Sequence, residues 1–323
     1  MIDSLYPIKF NPILKEKIWG GQKLKTLLNK ESNSAVVGEG WEISDVEGDT
    51  SLVNNGRFKG KSLKQLLELL GPDLIGKKNY KRFGNKFPLL IKFIDAKEDL
   101  SIQLHPNDEL ASKRHNSFGK TEMWYVMQAD KDANLIVGFN QSVTPELYSK
   151  HLENNSLTEI LNFDKVKEGD AYFIEVGRVH AIGAGVLLAE IQQTSDITYR
   201  VYDWDRVDDD GNSRELHNDL AIDAINFNME DDFRVSYNKT KDKSNKMISC
   251  PYFITNYLHV NTTLNRENTF DSFIIYMCVE GEVEISANSH SEKLTKGKTV
   301  LLPAAIKSYE IKAENAKLLE VYV

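Results

Sequence analysis

The sequence predicts a mainly β protein: two jelly-roll units of the β-sandwich or barrel kind, with a few helical insertions in the N-terminal part. Three observations carry that prediction. Short segments of alternating character dominate the chain, among them EMWYVMQA, NLIVGF, DAYFIEVG, LLAEIQQ, ITYRVYDW, SFIIYMCVEGEVEIS and KLLEVYV, each bounded by turn residues. Helical periodicity is confined to three stretches, all before residue 237. A faint internal repeat relates residues 164–182 to residues 292–311.

The elements follow in order. Residues 62–76 place Leu63, Leu66, Leu67 and Leu70 at helical spacing and stop at Gly71-Pro72. Residues 144–162 open with a Thr144 cap and Pro145 in the first turn, and residues 213–227 start on Ser213. The polar, lysine-rich stretch 237–249 lacks periodicity and reads as a linker between residues 1–236 and 250–323. The repeat superposes Gly169 on Gly297 and MWYVMQA on IIYMCVE. Strand, glycine, strand, spacer, then a glycine turn and a strand leading to a histidine is the two-part pattern of a cupin jelly roll. In the second copy Phe273 replaces Glu122 and Ser308 replaces His180, so one polar site is expected, in the first unit.

At 323 residues, 41% hydrophobic and 27% charged, the chain is long enough for two cores. No run approaches eighteen apolar residues, which predicts no membrane span. The N-terminal residues lack a basic segment followed by an apolar one, so no secretory signal is expected and the reading is cytoplasmic. Cys250 and Cys278 are too few for a disulfide framework and are read as buried free thiols. A net charge of −8 and the lack of a basic stripe argue against a nucleic-acid partner. An anionic small substrate would then need locally focused cations. The acidic run DDDGN at 208–212 lacks the spaced oxygens of a calcium loop and reads as a solvated turn.

The segment LSIQLHPND (100–108) raises the functional question. Residues two apart on a strand share a face, so Gln103 and His105 project together while Ile102 and Leu104 face the other way. Glu122 opens a hydrophobic strand, and His180 is expected to end the strand of the later cupin segment, just before AIGAG. Two imidazoles, a carboxylate and an amide oxygen suit zinc with positions left open, and are also compatible with iron or manganese. His115, His151, His217, His259 and His290 are read as ordinary structural histidines.

LSIQLHPND, KTEMWYV, VHAIGAG and EIQQTSDITYRVYDW resemble the type I phosphomannose isomerases, as do PLLIKFIDAKEDLSIQLHP (88–106), WGG (19–21) and GEGWEIS (38–44). The resemblance spans most of residues 5–230, and the length fits the shorter bacterial members. It implies that Gln103, His105, Glu122 and His180 hold one Zn2+. It further implies a cis-enediolate aldose–ketose isomerisation between mannose 6-phosphate and fructose 6-phosphate, zinc acting as Lewis acid. Glu175 and Arg178 depart from the proline and small hydroxyl residue that members commonly carry before the last ligand.

The resemblance also puts Arg200 in the active site. Alternation sets it on one face with Thr198 and Tyr202, and its permanent charge suits stabilisation rather than proton abstraction. Lys120, two residues before Glu122 and able to share its face, is the second candidate catalytic residue, placed to contact the oxygens or phosphate of the hexose 6-phosphate. Arg178 is a candidate for added phosphate affinity, and Glu190 for orienting a ligand or shuttling a proton. Trp19, Trp41 and Trp124 are read as core residues. Two rival readings are a different metal-cupin enzyme and a non-catalytic sugar-phosphate-binding or regulatory cupin. Gln103 in place of the first histidine of a His-x-His unit disfavours redox chemistry, and the full set of polar residues disfavours the sensor.

Overall fold

The structure, a computed structural model, describes residues 5–207 and 210–323. Its first unit pairs two antiparallel sheets. The six-stranded sheet runs in the order Ile13–Gly21, Val37–Ile43, Leu89–Ala96, Val186–Gln193, Glu122–Ala129, Ala171–Ile174. The five-stranded sheet runs Tyr199–Tyr202, Ile102–Leu104, His180–Ile182, Asn134–Phe139, Leu161–Lys165. Between them lies an apolar core that includes Trp19, Ile94, Trp124, Val126, Leu135, Val137, Ile182 and Leu188.

The central strands of the larger sheet are buried on both faces, which is why Leu89–Ala96 and Val186–Gln193 read as near-continuous apolar runs. Ile94 and Ala96 point into the first unit, while Leu89, Ile91 and Phe93 point outward. The outward face joins a second core shared with the C-terminal strands, in which Tyr257, Ile275 and Leu301 take part. The C-terminal unit stacks a five-stranded sheet on a four-stranded one, again antiparallel. The mainly β, double jelly-roll expectation therefore holds. The repeat has a structural basis: Gly169 and Gly297 both adopt positive φ, 86° and 83°, at turns that carry the chain from one sheet of each unit to the other. Phe273 immediately precedes its strand and Ser308 opens one, where Glu122 and His180 open theirs.

The helices differ in part from expectation. Ser62 and Gln65 form a capping box for helix Leu63–Leu70, whose four spaced leucines are buried. Gly71 then turns the chain into the short helix Pro72–Ile75, and a further helix, Lys77–Phe83, follows. Thr144 caps Pro145–Glu153; Asn155, at positive φ, ends that stretch, and a 3-10 turn Leu157–Ile160 replaces its predicted continuation. The helix expected over 213–227 is reduced to Asn218–Ala221. Tertiary bonds claim the rest: Ser213 bridges Val207, the Arg214 guanidinium grips Asp203, and the Asn226 N–H donates to the Gly177 carbonyl.

Helix Asp108–His115 was not expected, since it buries only Ala111 and has no apolar stripe. The second half of the stretch read as a linker forms strand Ser244–Ser249, at the edge of the C-terminal sheet. Cys278 is buried, and burial pushes its thiol up to about 12; Cys250 is half-buried rather than buried. The solvated-turn reading of 208–212 lies partly outside the described residues. Among the described residues no helix is long and apolar enough to cross a membrane.

Candidate metal centre and active site

The interior between the two sheets is apolar at one end and polar at the other. Strand pairing sets the polar end. In the smaller sheet His180 lies directly opposite Gln103, and Arg200 lies opposite Gln103 on its other side. Facing residues of an antiparallel pair share a face, so the three form one row across three strands. In the larger sheet Glu122 pairs with Gln192 and Ile174, and Glu190 pairs with both Lys92 and Trp124.

Across the interior the two sheets bring His105, Glu122 and His180 together, with one potential ligand atom of each within 4.8 Å of the others. All three are about 1% exposed. Nδ1 of His105 bonds the Ile197 carbonyl at 2.9 Å, and Nδ1 of His180 bonds the Arg178 carbonyl at 2.8 Å. A carbonyl only accepts, so both Nδ1 atoms carry the hydrogen and both Nε2 atoms present lone pairs to the interior. Those Nε2 atoms stand 3.3 Å and 3.9 Å from the Glu122 oxygens. Nε2 of Gln103 is 3.5 Å from Nε2 of His180.

The electrostatics are those of a site built for positive charge. Burial disfavours both imidazolium forms, and Lys120 beside His105 adds to that; His180 is pushed down to about 3. Burial alone would raise the Glu122 carboxyl. The Lys120 ammonium stands first among the groups that outweigh it, and the carboxyl is held well below the usual carboxylate range. Lys120 Nζ lies 2.7 Å from Glu122 Oε1 and 3.1 Å from His105 Nε2, yet neither Glu122 oxygen has a hydrogen bond of good geometry. A fully buried carboxylate left so, flanked by two outward-pinned imidazole lone pairs, fits a divalent cation.

Behind this cluster lies a charged pair that sequence reasoning missed in part. Lys92 Nζ is 3.0 Å from Glu190 Oε1, and the Trp124 indole donates to Glu190 Oε2 at 2.8 Å. Burial works against the Lys92 ammonium, but Glu190, Glu39 and Glu122 outweigh it and hold its pKa above the ordinary lysine value. The signal was present: Lys92 interrupts the apolar run PLLIKFIDA, as Glu122 opens an apolar strand of its own.

A sequence model described as the phosphomannose isomerase type I catalytic domain matches residues 8–134, and one described as the mannose-6-phosphate isomerase cupin domain matches residues 243–323. A mannose-6-phosphate isomerase of Bacillus subtilis is 35% identical over 308 residues, covering 94% of this chain and 95% of its own length. The chain belongs to the type I phosphomannose isomerase family. A Streptococcus mutans mannose-6-phosphate isomerase is 31% identical over 94% of both chains. The crystal structure of a Bacillus subtilis mannose 6-phosphate isomerase superposes with a TM-score of 0.88 at 32% identity, covering 98% of this chain and 99% of the other. The likeness to this family thus includes the C-terminal unit, where sequence reading saw only cupin character.

Within this phosphomannose isomerase fold the remaining candidates separate. Arg200 stays beside the cluster, half-buried: its Nε donates to Ser101 Oγ at 3.3 Å and its Nη1 to the Glu215 carbonyl at 2.9 Å. Ser101 Oγ in turn donates to Gln103 Oε1 at 3.3 Å. Arg178 turns away. Its guanidinium, 2% exposed, pairs with Glu230 at 2.5 Å, donates to the Asn228 carbonyl at 2.6 Å and stacks 4.8 Å over Phe233. The guanidinium of this candidate for phosphate affinity is thus engaged by Glu230, Asn228 and Phe233. Glu190 accepts from Trp124 at Oε2 and faces Lys92 as an ion pair at Oε1, without a hydrogen bond of good geometry there, and Trp124 packs edge-on against His180 at 5.3 Å between ring centres. Trp19 and Trp41 are buried. The other histidines have local partners: His115 bonds Tyr199, His151 bonds Ser156, and His259 bonds Asn315. His217 supports the Arg200 backbone, and His290 bonds the Asn288 carbonyl.

Proposed function

We propose that the protein interconverts mannose 6-phosphate and fructose 6-phosphate in the cytoplasm, using a zinc ion held by Gln103, His105, Glu122 and His180. The observation that carries the metal assignment is the convergence of two neutral imidazole lone pairs on a buried, ionised Glu122. Neutral imidazole, carboxylate and carboxamide oxygen are zinc donors, and three or four protein ligands leave room for substrate or water. Redox-inactive zinc also matches a reaction without net oxidation.

The reaction takes a proton from C2 of the open-chain aldose and returns one to C1 through a cis-enediolate. A zinc ion in the site supplies fixed positive charge for the developing oxyanion. Lys120 brings a second cation against Glu122 and His105, within the same buried cluster. Arg200, half-exposed in the row with Gln103 and His180, offers a permanent guanidinium charge at the edge of the site. These two are the local cations that an anionic sugar phosphate needs on a chain of net charge −8. Glu190 acts one step back, holding Lys92 and the Trp124 ring that packs on His180.

The test is turnover of mannose 6-phosphate to fructose 6-phosphate by chelator-stripped protein before and after zinc is restored. Zinc-dependent turnover that is absent in His105→Ala is the expected result. Folded, zinc-loaded protein with no turnover would overturn the substrate assignment.

A further inference from the structure

We propose that the C-terminal unit positions Lys120 in the active site, through a hydrogen-bonded relay from Tyr252 by way of Asp108 to the backbone on either side of Lys120. The inference rests on the role given to Lys120 above.

Tyr252 lies in the loop between C-terminal strands Ser244–Ser249 and Ile254–Val260. Its hydroxyl donates to Asp108 Oδ2 at 2.8 Å. The other oxygen of Asp108 accepts from the Gly119 N–H at 2.8 Å and from Gln193 Nε2 at 3.1 Å. Gln193 then closes the far side of Lys120: its Oε1 accepts from the Thr121 N–H at 2.9 Å, and its own N–H donates to the Thr121 carbonyl at 3.2 Å. Residues 119 and 121 are therefore both gripped, with Lys120 between them.

The grip is tight. A Cβ on Gly119 would stand 2.8 Å from the Asp108 nitrogen and 2.9 Å from the Asn107 carbonyl carbon, so the loop approaches as closely as glycine allows. Asp108 itself lies three residues after His105, so the relay ties two parts of the candidate centre to one carboxylate. The Tyr252 end is also anchored. Arg82, from helix Lys77–Phe83, donates to the Pro251 carbonyl at 2.9 Å and lies 5.8 Å from the centre of the Tyr252 ring. The degenerate unit thus reaches the metal centre by a defined route, beyond packing on the outer face of the large sheet. A hydrogen bond to a charged acceptor is among the stronger kinds, and a catalytic group displaced by about 1 Å loses up to about 100-fold in rate.

The experiment is a double-mutant cycle on the zinc-loaded full chain, combining Tyr252→Phe with Lys120→Ala, with Asp108→Asn as a second probe. Tyr252→Phe removes one hydroxyl. The expected result is a fall in kcat of about 10-fold with KM within about 2-fold, zinc content unchanged, and no further fall when it is added to Lys120→Ala. Asp108→Asn should act in the same direction. A Tyr252→Phe effect that multiplies independently onto Lys120→Ala would overturn the inference, because a structural defect does not need Lys120 to be felt. So would Tyr252→Phe with wild-type kcat. If Lys120→Ala itself turned over normally, the role given to Lys120 would fail and the relay with it; the other two outcomes leave that role standing.

Discussion

Gln103 and His180 are direct register partners on neighbouring antiparallel strands, their side-chain nitrogens 3.5 Å apart, and Arg200 flanks Gln103 on the other side. One row of one sheet thus carries two proposed ligands and the proposed charge-stabilising residue, while Glu122 faces them from the opposite sheet. Gln103→Leu keeps the shape and removes the amide. Zinc affinity should fall by about 10- to 100-fold, as for loss of one polar partner at a metal, while the fold stands. Competition with a chromophoric chelator measures it, and unchanged affinity would remove Gln103 from the ligand set.

Arg178 separates a phosphate contact from a structural tie. Arg178→Met should leave KM for mannose 6-phosphate unchanged and cost about 1–3 kcal/mol of stability, through lost bonds to Glu230 and Asn228 and lost stacking on Phe233. Urea unfolding and steady-state kinetics together decide. A raised KM with wild-type stability would restore the phosphate role.

The metal-stripped protein should be acid-sensitive in a defined window. His180 is pushed down to about 3 in the folded state and His105 is also lowered, against about 6.5 when unfolded. Between those values the unfolded chain binds more protons, so folding stability rises with pH there. The stabilisation is fully present above about 6.5 and is lost as pH falls toward 3, at up to roughly 1.4 kcal/mol per pH unit for each imidazole. Urea midpoints of stripped protein should therefore drop from pH 7.5 to pH 5, and bound zinc, competing with the same protons, should oppose the drop. A pH-independent midpoint in stripped protein would contradict the buried neutral histidines.

Lys92 and Glu190 form a buried pair whose halves are costly alone. Glu190→Gln leaves the Lys92 ammonium without its nearest counter-ion and should destabilise by about 3 kcal/mol, whereas Lys92→Met with Glu190→Leu should recover much of that loss. Thermal melts of Lys92→Met, Glu190→Leu and the double variant, beside Glu190→Gln, test the sign of the coupling. Simple additivity would mean that the two charges do not depend on each other.

The two units share a core, so they should not separate cleanly. A fragment ending near residue 240 would expose Phe93, Met123, Tyr125 and Ile191, and would lose the Phe87–Phe273 and Tyr125–Tyr257 ring contacts. It should be insoluble or inactive on expression. Soluble, active fragment would show that the C-terminal unit neither covers this face nor positions the site.

Much of the site was legible because strand periodicity is strict. Gln103 and His105 had to share a face, and Glu122 announced itself as a carboxylate opening an apolar strand. The repeat was legible for a similar reason, since its glycines must turn with positive φ. What sequence did not disclose depends on partners distant in the chain. The Arg178 contacts with Glu230 and Phe233 lie some fifty residues on and left no local mark. The 213–227 helix lost the backbone N–H groups of His217 and Asn226 to the Arg200 and Gly177 carbonyls and the Arg214 side chain to Asp203, and helix Asp108–His115 forms on local capping by Asn107 with hardly an apolar face to mark it. Tyr252 carried no signal at all: an ordinary tyrosine in a strand-rich region gains its meaning only from Asp108, 144 residues away.

The proposed mechanism depends on one zinc ion that Gln103, His105, Glu122 and His180 would hold. Anomalous diffraction at the zinc edge from crystals of active, zinc-loaded protein tests it most directly. A single strong peak is expected about 2.0–2.2 Å from Nε2 of both histidines and from a Glu122 oxygen, with the Gln103 oxygen turned toward it. A peak elsewhere, or none between these residues in crystals of protein that turns over mannose 6-phosphate, would contradict it.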